Sequence, residues 1–302
     1  MNSKVVEKKK LMGLGGIAAI MLGLGAVALA SCNGGSFDSS KSITVVTRED
    51  GSGTKSAFME ILGLKGKADV DGCVTQTSTS AVLEEVSGNS YAIAYDSLGY
   101  VTDAVKILTV DGVEATTENI ASGAYTISRP LNVIYKEATI SGSTLYTAYL
   151  NYLKSSEAQK MISDSGYVSI LDGATSYVAD SSLSGSIAIS GSTSLQPLMT
   201  TIASAFMAVQ PNVTVEVSGG GSGTGYKNAD GDVSIFGMIS EEYDSSKVSN
   251  TLSYYTVAKD GIAAIVNLKN PLNDISFSDL STIYNSEAES PITSWSQLID
   301  AE

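Results

Sequence analysis

Apolar residues fall into short β-branched runs separated by longer stretches of helical spacing. Ile43-Thr44-Val45-Val46 predicts a strand, with a Gly-rich turn and a helix from about Lys55 behind it. Tyr91-Ala92-Ile93-Ala94-Tyr95 predicts a second strand and Leu131-Asn132-Val133-Ile134-Tyr135 a third, its start marked by Pro130. Over residues 145–163, Leu145, Tyr149, Leu153, Ala158 and Ile162 recur on one side of a helix. Ile187-Ala188-Ile189 predicts a strand, residues 195–209 a helix and residues 213–217 a strand broken by Gly219-Gly220-Gly221. A further strand is expected over residues 262–266, ending before Asn270-Pro271. Strands alternating with helices give an α/β fold. The Ser-rich stretch 172–184 reads as a linker.

The N-terminus has a different pattern. Lys4, Lys8, Lys9 and Lys10 precede an apolar run over residues 11–29, followed by Leu29-Ala30-Ser31-Cys32. The run is long enough for a transmembrane helix. The basic flank and the small residues before the cysteine fit a cleaved signal instead. The segment resembles a bacterial lipoprotein signal with its lipobox. That resemblance implies removal of residues 1–31 and lipidation of Cys32. Acyl chains anchor at about 0.8 kcal/mol per buried CH₂. Residues 32–42, rich in Gly and Ser, then form a flexible tether. Cleavage takes Lys+Arg from 18 to 14 and Asp+Glu from 32 to 31, so the net charge moves from −14 to −17.

Such an acidic chain is a poor partner for nucleic acid, whose backbone wants a basic face. A small anion stays in play, because local dipoles bind one whatever the global charge. With no histidine, Ser-His-Asp and Cys-His catalysis and His-containing zinc sites are excluded. After cleavage Cys73 is the one cysteine besides Cys32, so there is no disulfide framework. No spacing recommends a metal site or a cofactor.

Three strand-turn-helix units carry candidate chemistry: Arg48-Glu49-Asp50-Gly51-Ser52-Gly53-Thr54, Ser190-Gly191-Ser192-Thr193-Ser194 and Gly219-Gly220-Gly221-Ser222-Gly223-Thr224-Gly225. Free backbone N–H groups and the helix dipole favour an anion at a helix start. Ser and Thr hydroxyls add donors, and Arg48 offers a planar fork suited to a tetrahedral oxyanion. Taken singly, each loop reads more readily as an ordinary cap or turn, and Arg48 as a surface partner of Glu49 or Asp50; three such loops, one with an arginine, favour binding.

The segment Ile43-Thr44-Val45-Val46-Thr47-Arg48-Glu49-Asp50-Gly51-Ser52-Gly53-Thr54 resembles the signature of the phosphate-binding proteins of phosphate ABC transporters, as does Gly185-Ser186-Ile187-Ala188-Ile189-Ser190-Gly191-Ser192-Thr193-Ser194-Leu195-Gln196-Pro197-Leu198-Met199. Val110-Asp111-Gly112-Val113, Ile127-Ser128-Arg129-Pro130, Gly166-Tyr167-Val168 and Asp260-Gly261-Ile262-Ala263 extend the likeness over nearly all of residues 43–298. The resemblance implies a two-lobed type II periplasmic-binding-protein fold with a hinge and an interlobe cleft. It implies that Arg48 pairs with phosphate and Asp50 orients Arg48. Ser52, Gly53 and Thr54 would donate from the first loop, Thr193 and Ser194 from the second, Ser222 from the third, and Ser240 after Phe236-Gly237-Met238-Ile239. That last region departs from the usual Asp-Ile-Gly-Met-Ser-Ser-Arg: Ile235 replaces the Asp, Ile239 the first Ser and Glu241 the Arg.

The loop order also departs, since the Arg-bearing loop comes first and the chain closes at Trp295-Ser296-Gln297-Leu298, where a relative would run on into the strand that is residues 43–48 here. A circular permutation explains this; a truncated gene is the rival explanation. Under permutation, residues 43–129 plus 267–302 form the lobe with Arg48, and residues 130–266 form the other. The crossings near Ser128-Arg129-Pro130 and Val266-Asn267-Leu268 would be the hinge. The function implied is a monomeric, lipid-anchored binding protein on the extracytoplasmic face that hands inorganic phosphate to ABC permease subunits, with no enzyme activity. Asp50 would accept phosphate's proton and so reject sulfate. The alternatives are another oxyanion such as sulfate or molybdate, a sensor lipoprotein, or a serine hydrolase using Ser52 or Ser194, for which no general base is evident.

Overall fold

The computed structural model describes residues 37–299; the expected signal segment and Cys32 lie outside them. In chain order the elements are β1 (Thr44–Arg48), α1 (Gly53–Ile61), β2 (Val74–Gln76), α2 (Thr79–Gly88), β3 (Ala92–Ser97), β4 (Val105–Ile107), β5 (Thr109–Val110) and α3 (Thr117–Ser122). Then come β6 (Ser128–Tyr135), α4 (Glu137–Ser141), α5 (Thr144–Leu153), α6 (Ser156–Asp164), β7 (Gly185–Gly191), α7 (Gln196–Val209), β8 (Val213–Ser218), α8 (Ser222–Asp230) and β9 (Phe236–Ile239). The last are β10 (Ser253–Asn267), β11 (Asp274–Ile275), α9 (Phe277–Tyr284) and α10 (Ser296–Ile299). The α/β class expected from the alternation is the one observed.

Two large hydrophobic cores form, and a small third cluster gathers Ile134, Tyr226, Ala229, Ile239 and Leu252. The first gathers Phe58, Val82, Ile93, Tyr95, Leu280, Trp295 and their neighbours. The second gathers Val133, Tyr149, Ile187, Ile202, Phe206, Phe236 and theirs. Around the first, β2, β1 and β3 run parallel. Around the second, β8, β7 and β9 run parallel. The long strand β10 joins them: its first part pairs antiparallel with β6 and its end with β3 and β4.

This strand moves one expected crossing. Ile262, Ala263, Ala264, Ile265 and Val266 pack in the first core, while Val257 and Ala258 pack in the second. The chain therefore passes between cores near Asp260-Gly261, not after Val266. The reason is pairing: an apolar run buried on both faces is claimed by β3, with Ile262 opposite Ser97 and Val266 opposite Ile93. The other passage lies in β6, where Ser128, Arg129 and Pro130 pair with Gly261, Asp260 and Lys259.

The helix expected over residues 145–163 is two helices. Lys154 ends the first, and Ser155 caps the second, accepting from the Ala158 N–H at 3.3 Å. The apolar stripe continues across the break, which is why periodicity alone joined them. Residues 172–184 carry no helix or strand.

Candidate ligand-binding site

Parallel strands present their C-terminal ends, and the helix starts that follow them, on one side of a sheet; ligands bind in such crevices. Here β1 ends at Arg48, β3 at Ser97, β7 at Gly191 and β8 at Ser218. All three candidate loops leave from those ends.

Arg48 is 1% exposed despite its charge. Its Nε donates to the Gln76 carbonyl at 3.2 Å and its Nη2 to the Thr77 carbonyl at 3.3 Å. Nη2 also reaches Thr193 Oγ1, from the second core's loop, at 3.4 Å. Burial lowers the guanidinium pKa, opposed by the neighbouring Asp96, Tyr95 and Glu49; guanidinium remains charged regardless. Asp50 does not orient Arg48. Its side chain is 99% exposed and meets Lys55 Nζ at 2.8 Å, and that bond holds its carboxyl below the usual range. The β2–α2 turn, not the adjacent acid, fixes the guanidinium.

Hydroxyls from both cores converge. Thr54 Oγ1 and Ser194 Oγ are 3.0 Å apart. Thr79 Oγ1, at the start of α2, lies 3.0 Å from Thr193 Oγ1 and 3.2 Å from Ser194 Oγ. Ser222 Oγ accepts from the Ser240 N–H at 3.0 Å and is 3.4 Å from Ser240 Oγ. Ser52 is buried and caps α1 through the Lys55 N–H. The Gly223 N–H donates directly to the Gly51 carbonyl at 2.9 Å, a backbone bond between the loops. Gly53 is required by this closeness: a Cβ there would lie 2.1 Å from Ser222 Oγ and 2.8 Å from Ser240 Oγ. Gly221, at φ +82°, caps α8 in a conformation that side chains resist. The structure thus brings Arg48, Ser52, Gly53, Thr54, Thr193, Ser194, Ser222 and Ser240 together and leaves Asp50 outside.

Sequence reasoning missed four participants. Thr79 gives the hydroxyl just described. Arg129, Asp260 and Asp96 are three ionisable side chains buried together beside the loops. Arg129 donates through Nε (3.3 Å) and Nη2 (3.1 Å) to Asp260 Oδ2, and through Nη1 to the Ser240 carbonyl at 3.0 Å. Asp96 is 1% exposed. Burial raises the pKa of both carboxyls, against the pull of Arg129 on Asp260 and of Arg48 and Arg129 on Asp96. Arg129 and Asp260 stood in motifs quoted for the resemblance, and that was their one available signal. A groove of about 690 Å³ opens beside the Gly51–Gly223 contact, with Lys55, Lys65, Lys67 and Lys247 among its lining. Among the described residues no cluster of His, Cys, Asp and Glu could hold a metal ion, and no helix is long and apolar enough to cross a membrane.

Residues 36–157 and 178–302 match the PBP superfamily domain. The phosphate-binding protein PstS 2 of Streptococcus agalactiae serotype V is 38% identical, over 97% of this chain and 99% of its own length. Its namesake from Streptococcus pneumoniae serotype 4 is 32% identical, over 96% of this chain and 99% of its own. The phosphate-binding protein PstS of Bacillus subtilis aligns over 134 residues, at 34% identity, which is 43% of this chain and 42% of its own. The crystal structure of a phosphate-binding protein of a phosphate ABC transporter from Streptococcus pneumoniae TIGR4 superposes with a TM-score of 0.68 at 31% identity, covering 85% of this chain and all of that one.

Proposed function

This chain belongs to the phosphate-binding proteins of the PBP superfamily, and from that membership we propose that it captures inorganic phosphate between its two cores and passes it to an ABC importer. One observation carries the reading: a fully buried guanidinium, aimed by two carbonyls, sits among helix starts and hydroxyls drawn from both cores. A charged arginine buried without a full charge partner is costly. A tetrahedral oxyanion offsets that cost, accepting charge-assisted bonds from the guanidinium and further bonds from backbone N–H and hydroxyl donors. Because donors come from both cores, the ligand favours the closed arrangement over any open one. The passages at Ser128-Arg129-Pro130 and at Asp260-Gly261 serve as the hinge.

The protein works outside the cytoplasmic membrane, held by lipid on Cys32. Cys32→Ala is expected to move it from the membrane fraction to the medium. The loop order supports a permutation: a collinear comparison pairs this chain with its streptococcal relatives nearly end to end, and with the Bacillus subtilis protein over less than half of each. Competition binding with phosphate, sulfate and molybdate tests the ligand. Phosphate is expected to bind tightest; a tighter sulfate or molybdate would redirect the assignment to that anion.

A further inference from the structure

We propose that Asp96 holds a proton in the closed protein and donates it as a hydrogen bond to the bound anion, which makes binding proton-linked; this rests on the phosphate reading above. The placement comes from strand register. β1 and β3 run parallel with Thr44 opposite Ala92 and Val45 opposite Ile93. Carried forward, that register sets Arg48 level with Asp96 on the same face of the sheet. Asp96 Oδ1 accepts the Ser97 N–H at 2.8 Å. Its Oδ2 is buried and bonds to nothing in the chain. Buried polar atoms are nearly always bonded, so an orphan oxygen at a candidate site calls for an explanation.

The explanation lies in the neighbouring acid. Asp260 takes two bonds from Arg129 and a third from Ser97 Oγ at 2.8 Å, all on Oδ2, while its Oδ1 also lacks a partner. Ser97 therefore touches both carboxyls, one through its backbone and one through its hydroxyl. The charged and titratable groups facing Asp96 are Arg48 from β1, Arg129 from β6, Asp260 from β10 and Tyr167 from the segment after α6. Of two buried carboxyls so close, one takes the proton. Asp260 has the paired guanidinium and the hydroxyl, so it keeps the charge. Asp96 has a single backbone donor, so it keeps the proton. Burial pushing the Asp96 carboxyl well above its ordinary range agrees with this. A hydroxyl on Oδ2 is then a donor, and an oxyanion paired with Arg48 supplies its acceptor.

Calorimetry with inorganic phosphate at pH 9, in two buffers of different ionisation heat, reads the proton count on the unaltered protein. At that pH free phosphate is the dianion, so a proton taken up goes either to the protein or to the phosphate, and the count in Asp96→Asn tells the two apart. Net uptake is expected, because binding returns the proton to Asp96. Asp96→Asn is a permanent donor. Its affinity relative to the unaltered protein is expected to rise at least fivefold between pH 6 and pH 9, and its proton uptake to vanish. A count of zero in the unaltered protein would overturn the proposal, as would a flat affinity ratio. A tenfold weaker Asp96→Asn at both pH values would make Asp96 an acceptor instead. A folded protein that gives no phosphate heat at all would sink the phosphate reading itself.

Discussion

Arg48 is the residue on which the site turns. Removing a buried guanidinium costs the ligand two charge-assisted bonds, each about 1.5–3 kcal/mol. Arg48→Ala is therefore expected to weaken phosphate binding by roughly 10²- to 10⁴-fold, measured by calorimetry. Asp50→Asn removes an exposed partner of Lys55 and is expected to leave the phosphate-to-sulfate preference within threefold in competition binding. Asp96 adds a stability prediction. Its folded pKa is raised, so its contribution is complete below the ordinary carboxylate range, near pH 4, and is lost as pH rises through the folded value. Asp96→Asn is expected to raise the urea midpoint at pH 8, with the gain shrinking at pH 5. Arg48 was legible because an arginine before Gly-Ser-Gly-Thr already has a chemical reading. Asp96 was not: one acid ending an apolar strand reads as the point where the chain meets solvent. Only the pairing of β3 with both β1 and β10 buries it. The resemblance implied that Asp50 orients Arg48, but the turn after Arg48 turns the Asp50 side chain to Lys55 and solvent instead.

Helix starts and strand ends carry the site at the scale of elements. The Gly-rich and hydroxyl-rich turns were visible in the sequence, and so was the alternation that sets them at strand ends. What could not be read was how closely the loops meet. Gly53 faces Ser222 and Ser240, short buried side chains that have little room to yield. Gly53→Ala is expected to hold the two cores apart. Solution scattering in saturating phosphate should then give a larger radius of gyration than the unaltered protein, and binding should weaken at least tenfold. Equal radii and equal affinity would mean that the loops have slack. The Thr79 hydroxyl was equally hidden, because α2 reads as an ordinary Ser-capped helix until the second core's loop is set against it.

Across the whole molecule, a strongly acidic protein holds an anion by local means: one guanidinium, several helix starts and a ring of hydroxyls. The two passages of chain between the cores are locked together by Arg129 and Asp260, both almost wholly buried. Breaking such a pair strands a charge and costs about 3–5 kcal/mol. Arg129→Met is expected to lower unfolding stability by that order in urea, and to loosen the Ser240 carbonyl that Arg129 also holds. The two-core α/β plan was legible from hydrophobic spacing and motif likeness. The passage at Asp260-Gly261 was not, since a strand's affiliation depends on which partner its edge finds. The most direct measurement is isothermal titration of the protein starting just after Cys32 with inorganic phosphate, alongside Arg48→Ala. Saturable one-to-one binding that Arg48→Ala weakens at least a hundredfold is the predicted result; a folded protein that binds no phosphate, or binds it equally well without Arg48, would contradict the account.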